Sequence, residues 1–400
     1  MREPDYVDEC YADKDLSLLK KLTLVIPTYN RNYYLSRCLW YHAHFPFGEI
    51  IVADSSPEEK KGVNRETVQK VREIFGANIQ YLEYEPETEK YGGDIYKKWE
   101  NAISYSITEY TQICADKEFL LPDTLLILIE IMDRDSEIGA CGTNHIQAEL
   151  NNTNKLFFSR ASNDIGEYST PKDINDRIEY VRRNKIPMGV LPFCRTVVYN
   201  QVYDKFSKYI TDIRFGEYAI GLAIHLLSRI HYIGSAASVC RDLTFLRKNG
   251  CVIPSESSAR RYPLFEEYKS LKIYDDFYNN FKEYLNTINN FEKQMSSNQF
   301  DKWFICYLRN TGIIPSTKLE TTYRKVLLLM HRQRITEIIY RFICVFWSNI
   351  PIHFKQVLMK KIGIYTPNYV QIISPELALI QKIICKTRVY HDKDEPITLK

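Results

Sequence analysis

Several motifs of common enzyme families are absent from this sequence. It contains no GxxxxGK[ST] phosphate-binding loop, no GxGxxG dinucleotide fingerprint and no GxSxG nucleophile turn. Kinase, dinucleotide oxidoreductase and esterase interpretations therefore lose their usual support. The 8 histidines form no HExxH zinc motif, and His42 and His44 are two apart in a predicted helix, where they face different ways. We assign no chemistry to the histidines.

Regular cysteine spacing and long apolar runs are absent as well. The 10 cysteines form no CxxC pair, and several lie inside apolar runs, which indicates small buried side chains in a reducing compartment. Residues 1–15 are polar and rather acidic, without the apolar core of a signal peptide. No stretch reaches the roughly 18 uncharged apolar residues of a transmembrane helix. We therefore expect a cytoplasmic protein.

Neither sign of charge predominates. Lysine and arginine total 53 against 50 aspartates and glutamates, which gives a net charge of +3. This balance does not indicate a nucleic-acid partner, and any anion site must be local. The hydrophobic share of 45% and the charged share of 26% are typical of a globular protein. A chain of 400 residues can form one large domain, or an ordinary domain with a substantial extension.

From residue 22 onward, short apolar runs alternate with helical patterns. Strands are predicted at 22–26, 49–53, 79–84, 110–114 and from 138. Helices are predicted between them, at 33–44, at 64–75, after Gly92-Gly93, and at 123–132 with Pro122 as the first residue. This alternation predicts βαβ units, and therefore an α/β fold with a mainly parallel sheet flanked by helices.

The pattern weakens after residue 149. We predict a polar loop at 159–171, a charged helix at 173–184, a helix at 216–229, and strands at 191–199 and 231–239. From about residue 256 onward the signal is almost wholly helical. We therefore divide the chain into a lead-in at 1–20, an α/β domain at 21–250 and a helical C-terminal domain at 256–400.

Polar residues follow three of the predicted strands. The three segments are Pro27-Thr28-Tyr29-Asn30-Arg31, Asp54-Ser55-Ser56 and Asp116-Lys117-Glu118. In open α/β sheets, ligands bind beyond the carboxyl ends of the strands. The three segments could therefore form one site. They could also be ordinary turns, because turns favour Asp, Ser and Asn.

Five segments resemble motifs of GT-A fold glycosyltransferases of the large family 2 type. LTLVIPTYNR is similar to their opening strand and turn, and EIIVADSS to their second strand, which ends in an aspartate that meets the nucleotide base. Gly92-Gly93 with Asn101 resembles the glycine-led helix before their metal motif. ICADKEF stands where that family carries Asp-x-Asp, and the segment from Asp212 to Glu217 resembles a later acidic motif. The resemblance extends over residues 20–245.

The resemblance is closest to a bacterial subgroup of surface-polysaccharide transferases, in which an alanine precedes the acidic motif. It implies a GT-A type, Rossmann-like mixed sheet, here followed by a mainly α-helical C-terminal extension. The implied reaction moves a sugar from a nucleotide sugar, most commonly a UDP-sugar, to a hydroxyl of a glycan or lipid-linked acceptor, with inversion. The implied cofactor is Mn²⁺ or Mg²⁺.

The resemblance also implies roles for individual residues. Asp116 and Glu118 would bind the metal, and Glu217 would be the general base, with Asp212 in reserve. The residues expected to bind the nucleotide sugar are Pro27, Thr28, Tyr29, Arg31, Asp54, Gly93, Asn101 and Asp116, together with two that the resemblance does not supply: Lys117, and Arg241, which follows a late strand and could meet the diphosphate.

Three residues depart from the pattern of the family. Glu118 replaces the second aspartate, and Lys117 lies between the carboxylates, where it could assist the phosphates as a point charge. Tyr218 follows Glu217 where the family usually has Asp. These departures leave open a non-catalytic nucleotide-binding or membrane-docked scaffold. A nucleotidyltransferase is a further alternative, but VIPTYNRN lacks the glycine-rich loop of those enzymes.

Each candidate residue also has a structural alternative. The segment 116–118 could be a solvated turn, and Asp54 an Asx-turn residue that bonds its own backbone. Glu217 could simply begin a helix, where the dipole favours a carboxylate. Arg31 could be a surface residue, and Arg241 could form a salt bridge.

Residues 323–364 interleave apolar and basic side chains. They could form an interfacial helix pair at the inner face of the cell membrane, which would suit a lipid-linked acceptor. Alternatively, they form an ordinary helical subdomain whose aromatic residues pack against the core.

Overall fold

The computed structural model shows a large mixed β-sheet with helices on both faces. It describes residues 11, 13–86, 94–150, 156–161, 166–183, 192–207, 216–241, 245–248, 251–254, 275, 278, 279, 282, 283, 296–310, 368, 369 and 375–386. Its strands are β1 Leu22–Thr28, β2 Glu49–Asp54, β3 Ile79–Glu83, β4 Tyr110–Ile113, β5 Glu118–Leu120, β6 Ile138–Leu150, β7 Leu156–Ala161, β8 Tyr168–Ser169, β9 Phe193–Arg195, β10 Arg229–Arg241, β11 Phe245–Lys248, β12 Cys251–Pro254 and β13 Asn368–Tyr369. Its helices are α1 Asn32–His42, α2 Glu58–Phe75, α3 Asp94–Ser104, α4 Pro122–Arg134, α5 Ile174–Arg183, α6 Thr196–Phe206, α7 Gly216–Leu227, α8 Ser297–Asn310 and α9 Pro375–Lys386.

The first half of the sheet is parallel, in the order β3-β2-β1-β4. This is the strand order of one half of a doubly wound nucleotide-binding sheet. Successive residues of the central strands face opposite sides, so Val25 and Ile51 lie in one core, while Leu24 and Ile50 lie in the other. Helices cover both faces, which explains why these strands read as continuous apolar runs. The predicted α/β fold is confirmed.

The strand β1 continues through Pro27 to Thr28, although the sequence predicted that it stops before the proline. Its pairing with β4 ends at Val25 and Ile113, whereas its pairing with β2 continues to Thr28 and Asp54. Proline cannot donate to a strand ladder and is therefore confined to places where one neighbour is missing. The early end of β4 provides such a place.

The second half of the sheet is mixed. Strand β9 pairs antiparallel with both β4 and β6, β7 pairs antiparallel with β6, and β10 runs parallel to β6. The short strand β5, which was not predicted, pairs antiparallel with the end of β10. This pairing places Glu118 opposite Cys240, next to Arg241.

Two local predictions after residue 149 are wrong. Within the predicted strand at 191–199, the described residues form only the short strand β9 before helix α6 begins at Thr196. Val198, Val202 and Phe206 recur every four residues and are buried, which is a helical pattern. The predicted loop at 159–171 contains the end of β7 and all of β8.

Three elements beyond residue 256, namely α8, β13 and α9, pack against the sheet and its helices. Phe300, Trp303 and Phe304 of α8 lie in one core, and the Trp303 indole donates to the Ile178 carbonyl at 3.2 Å. Strand β13 adds to the sheet beside β7, and α9 buries apolar side chains in the other core. Residues 323–364 lie outside the described part of the chain. Within the described part, no helix combines the length and apolar character needed to cross a membrane.

Candidate nucleotide and metal site

Three strand ends meet at the carboxyl edge of the parallel half of the sheet. Thr28 ends β1 and pairs in register with Asp54, which ends β2. Asp116 lies in the turn after β4, and its Oδ2 accepts a hydrogen bond of 2.9 Å from the Thr28 hydroxyl. The sheet therefore brings together the three polar segments that the sequence singled out.

Asp116 is a buried carboxylate with an exposed counter-charge. The residue is only 2% exposed, and its Oδ1 lies 3.3 Å from Nη1 of Arg31, whose side chain is 46% exposed. Burial raises the pKa of the Asp116 carboxyl, whereas the charge of Arg31 and the hydrogen bond from Thr28 lower it. The net direction of the pKa shift is upward.

Lys117 and Glu118 complete the turn after Asp116. Both are half-buried, and Glu118 Oε2 accepts a hydrogen bond of 3.3 Å from the Ala115 amide. The turn thus offers oxygen donors from two carboxylates, and the Thr28 hydroxyl lies beside that of Asp116. Such hard oxygen ligands fit Mg²⁺ or Mn²⁺, and the Arg31 guanidinium already places a cation beside Asp116. The donor set therefore fits the implied metal.

Asp54 is fully enclosed by protein donors. Its Oδ1 accepts from the Ser56 amide at 2.7 Å, and its Oδ2 accepts from Asn64 Nδ2 at 2.6 Å and from the Tyr81 hydroxyl at 2.5 Å. The bond to Ser56 is the Asx-turn bond that the sequence left open as an alternative. These three donors leave one acceptor site of the carboxylate, on Oδ1, but Asp54 is 0% exposed, so a nucleobase contact would require a neighbouring group to move aside.

Lys98 belongs to the site, but the sequence analysis did not select it. It is 2% exposed, and its Nζ donates to Ser55 Oγ at 2.7 Å and to the Thr28 carbonyl at 3.4 Å. The ammonium group therefore joins the ends of β1 and β2. A signal was present in the sequence, because Lys98 lies three residues after Ile95 and four before Ala102, on the apolar face of α3.

The turn after β1 contains a residue in a left-handed conformation. Asn30 has φ 54°, and its amide donates to Ser56 Oγ at 2.8 Å. Aspartate and asparagine tolerate this region better than most other residues. The turn directs the chain into α1 and sets Arg31 beside Asp116. Tyr29 and Pro27 are both half-buried here.

The remaining candidates lie farther along the chain. Asn101 is exposed on α3, where its Oδ1 accepts from the Tyr84 hydroxyl at 2.8 Å. Glu217 is exposed in the first turn of α7. Arg241 ends β10, but its side chain is not among those described. Gly93 and Asp212 lie outside the described residues.

Glycine at position 216 allows α7 to begin directly against α3. A Cβ atom at this position would lie 2.0 Å from the Tyr96 ring. Tyr96 lies on the same helix as Lys98, two residues earlier. This contact places the first turn of α7, which carries Glu217, against α3, whose Lys98 reaches the ends of β1 and β2.

Cys38, His42 and Cys114 form a separate buried cluster. Their ligand atoms lie within 4.8 Å of one another, close enough to share a cation. However, His42 Nδ1 lies 2.8 Å from the Cys38 carbonyl, and His42 Nε2 accepts from the Leu120 amide at 3.1 Å. Both ring nitrogens thus already have partners, with the proton assigned to Nδ1 from this pattern. His44 and His225 make the same Nδ1 contact to the carbonyl four residues earlier, so the geometry favours a structural role for His42.

Comparison with known proteins gives similarity only to solved structures. No protein-family model matches the chain, and no curated protein matches it. The crystal structure of S. aureus TarS 1–349 is similar at 14% identity and a TM-score of 0.42, over 79% of this chain and 90% of that one. The same TarS fragment in complex with UDP-GlcNAc is similar at 14% identity and a TM-score of 0.38, with the same coverage. Identities and TM-scores this low establish neither a shared family nor a shared activity.

Proposed function

We propose that this protein is a metal-dependent glycosyltransferase that moves a sugar from a nucleotide-sugar donor to a hydroxyl of a glycan or lipid-linked acceptor. The observation that carries this proposal is the buried Asp116 carboxylate, held by Thr28 and Arg31 where three strand ends meet. The order of the five resembling motifs supports the same function. We further propose a UDP-sugar donor, inversion at the transferred sugar, and a role in surface-polysaccharide biosynthesis.

In this proposal, Asp116 binds Mg²⁺ or Mn²⁺, and Glu118 binds it directly or through water. The cation would neutralise the charge that develops on the departing diphosphate. Arg31, Lys117 and Lys98 add positive charge around the same edge of the sheet, which favours an anionic donor over a neutral one. Arg241 would contribute to the same charge from the end of β10.

The nucleobase would lie beyond the carboxyl ends of β1 and β2, where the two strands end side by side. Tyr29 offers a ring for stacking, because its side chain is half-buried beside the turn. The role of Asp54 in base recognition stays a prediction. Its carboxylate is 0% exposed, so a neighbouring group would have to move aside before Oδ1 could accept from an N–H of the base.

Glu217 would act as the general base. Its exposed carboxylate, in the first turn of α7, would take the proton of the acceptor hydroxyl as that oxygen attacks the anomeric carbon. The bond between the anomeric carbon and the diphosphate oxygen then breaks, and the nucleoside diphosphate leaves. Asp212 stays the reserve candidate for this role.

The proposed function is tested by donor hydrolysis across a panel of nucleotide sugars with Mn²⁺, Mg²⁺ or EDTA. We expect metal-dependent release of nucleoside diphosphate, which Asp116→Ala lowers by about 100-fold or more because it removes the only fully buried carboxylate of the acidic turn. Asp204→Ala, which removes an exposed carboxylate on α6, is the matched control.

A lack of hydrolysis calls for two further measurements, because a transferase can hydrolyse its donor slowly without an acceptor. The first is thermal unfolding with UDP, GDP and other nucleotides, since a ligand that binds the folded state raises its stability. The second is transfer to a glycan extract. Nucleotide stabilisation without any transfer would favour the non-catalytic scaffold, and the absence of both would overturn the proposed function.

A further inference from the structure

The two oxygens of Asp116 differ in the mobility of their partners. Oδ2 is bound by the hydroxyl of Thr28, which is 2% exposed and lies within β1. Oδ1 is bound by the guanidinium of Arg31, whose side chain is 46% exposed. Thr28 is fixed by the sheet, whereas a long, half-exposed side chain can change its partner. Oδ1 is therefore the oxygen at which one cation can replace another.

A buried carboxylate that is ionised requires a counter-charge. Arg31 supplies this charge to Asp116, with a further contribution from Lys117, the next residue in the chain. A divalent cation bound to Asp116 would supply more charge at the same place, and its positive charge would then repel the guanidinium. The guanidinium has a planar arrangement of donors that suits phosphate as well as carboxylate.

The backbone of Arg31 is held in place while its side chain is exposed. Arg31 occupies the N-cap position of α1, directly after the left-handed Asn30, whose amide is bound to Ser56 Oγ. The backbone of Arg31 is thus held between the end of β1, which precedes it in the chain, and Ser56 after β2. A change of partner therefore requires rotation of the side chain alone.

We propose that Arg31 exchanges partners when the donor complex forms: it leaves Asp116 Oδ1 as the divalent cation binds there, and it turns to the donor diphosphate. This inference rests on the proposed function. It makes Arg31 a competitor of the metal in the nucleotide-free protein and a ligand of the diphosphate in the complex. Metal and nucleotide binding are then coupled through one side chain, and the coupling is reciprocal.

The test compares the wild-type protein with Arg31→Ala and Arg31→Lys. Binding of Mn²⁺ alone is measured by electron paramagnetic resonance, and binding of UDP at saturating Mn²⁺ by calorimetry. We expect Arg31→Ala to bind Mn²⁺ about fivefold more tightly and UDP about fivefold more weakly, whereas Arg31→Lys shifts both affinities less. Arg134→Ala, which removes an exposed arginine that pairs with Glu130 at 2.9 Å, leaves both affinities unchanged.

The opposite signs of the two changes are diagnostic. If Arg31 has a purely structural role, its replacement weakens the binding of both Mn²⁺ and UDP. If Arg31 is a plain surface residue, its replacement changes neither affinity. Either result overturns the exchange. Thermal unfolding without ligands checks that the variants fold. If the wild-type protein binds neither UDP nor any other nucleoside diphosphate in the presence of Mn²⁺, the proposed function itself is overturned; if it binds another nucleoside diphosphate, the same comparison is made with that nucleotide. If it binds UDP, but Arg31→Ala changes the affinities for Mn²⁺ and UDP in the same direction, only the exchange is overturned.

Discussion

Glu376 offers a quantitative test of how the C-terminal helix is attached. It lies in the first turn of α9, is only 4% exposed, and its Oε1 accepts from the Asp123 amide at 2.8 Å and from the Tyr11 hydroxyl at 2.6 Å. The Asp123 amide belongs to the first turn of α4, where backbone N–H groups have no partner within the helix. Glu376 therefore caps a helix that lies 253 residues away in the sequence.

Burial raises the pKa of Glu376 from its ordinary value of 4.5 to about 7. The unfolded chain releases this proton near pH 4.5, whereas the folded protein holds it up to about pH 7. Folding stability therefore falls as the pH rises between these values, and the full cost applies above pH 7. At 1.36 kcal/mol per pH unit, the difference between about 7 and 4.5 corresponds to about 3 kcal/mol.

Replacement of Glu376 by glutamine removes this cost and keeps an acceptor oxygen. We expect Glu376→Gln to be more stable than the wild-type protein by up to about 3 kcal/mol above pH 7, with the gain vanishing below about pH 4.5. The assay is the free energy of unfolding in urea between pH 4 and pH 9. Glu66→Gln, at an exposed position on α2, is the control. A gain that does not change with pH, or a loss of stability at pH 8, would refute this reasoning.

Two further predictions concern backbone geometry. Asn30→Gly should keep the stability of the folded protein, whereas Asn30→Val should lower it by roughly 1–2 kcal/mol, because a β-branched residue does not tolerate φ 54°; equal unfolding midpoints for the two variants would contradict this. Gly216→Ala should destabilise the protein by roughly 1–3 kcal/mol, because its Cβ would lie 2.0 Å from the Tyr96 ring. Thermal unfolding measures the Gly216 effect, and a smaller loss from Gly216→Ala in a Tyr96→Ala background than in the wild-type protein would identify the clash with the buried Tyr96 ring as its cause.

The burial of Asp116 has a consequence for the acidic turn as a whole. A solvated turn would leave its carboxylates in water, but Asp116 is enclosed and bonded to residues 85 and 88 positions away. Glu118 stays half-buried, so the two carboxylates are not equivalent. We therefore expect loss of Asp116 to affect metal binding more strongly than loss of Glu118.

Much of the parallel half of the sheet was predictable from local sequence. The runs LTLVI and EIIVA are apolar on both faces because helices cover both sides of these strands. Pro122 begins α4 as predicted, since the first turn of a helix has no use for its missing N–H. Local sequence also predicted which segments lie at the carboxyl ends of the strands, because the end of an apolar run and its turn residues are close together in the chain.

Long-range pairing was decided only by the tertiary structure. Strand β5 exists because the end of β10, about 120 residues later, supplies its partner, and β13 joins β7 across more than 200 residues. Lys98 enters the site because α3 packs on the ends of β1 and β2. Its place on the apolar face of α3 indicated burial, but helical periodicity could not indicate which groups its ammonium meets. The enclosure of Asp54 by Asn64 and Tyr81 likewise depends on how α2 and β3 pack beside β2.

The sequence by itself determined the chemistry that is available: which strands end in carboxylates, hydroxyls and cations. Only the tertiary structure decided which of these groups meet and how much water reaches them. The physical reason is that apolar periodicity is a property of neighbours in the chain, whereas the burial, charge pairing and pKa of Asp116, in the turn after β4, depend on side chains at the end of β1.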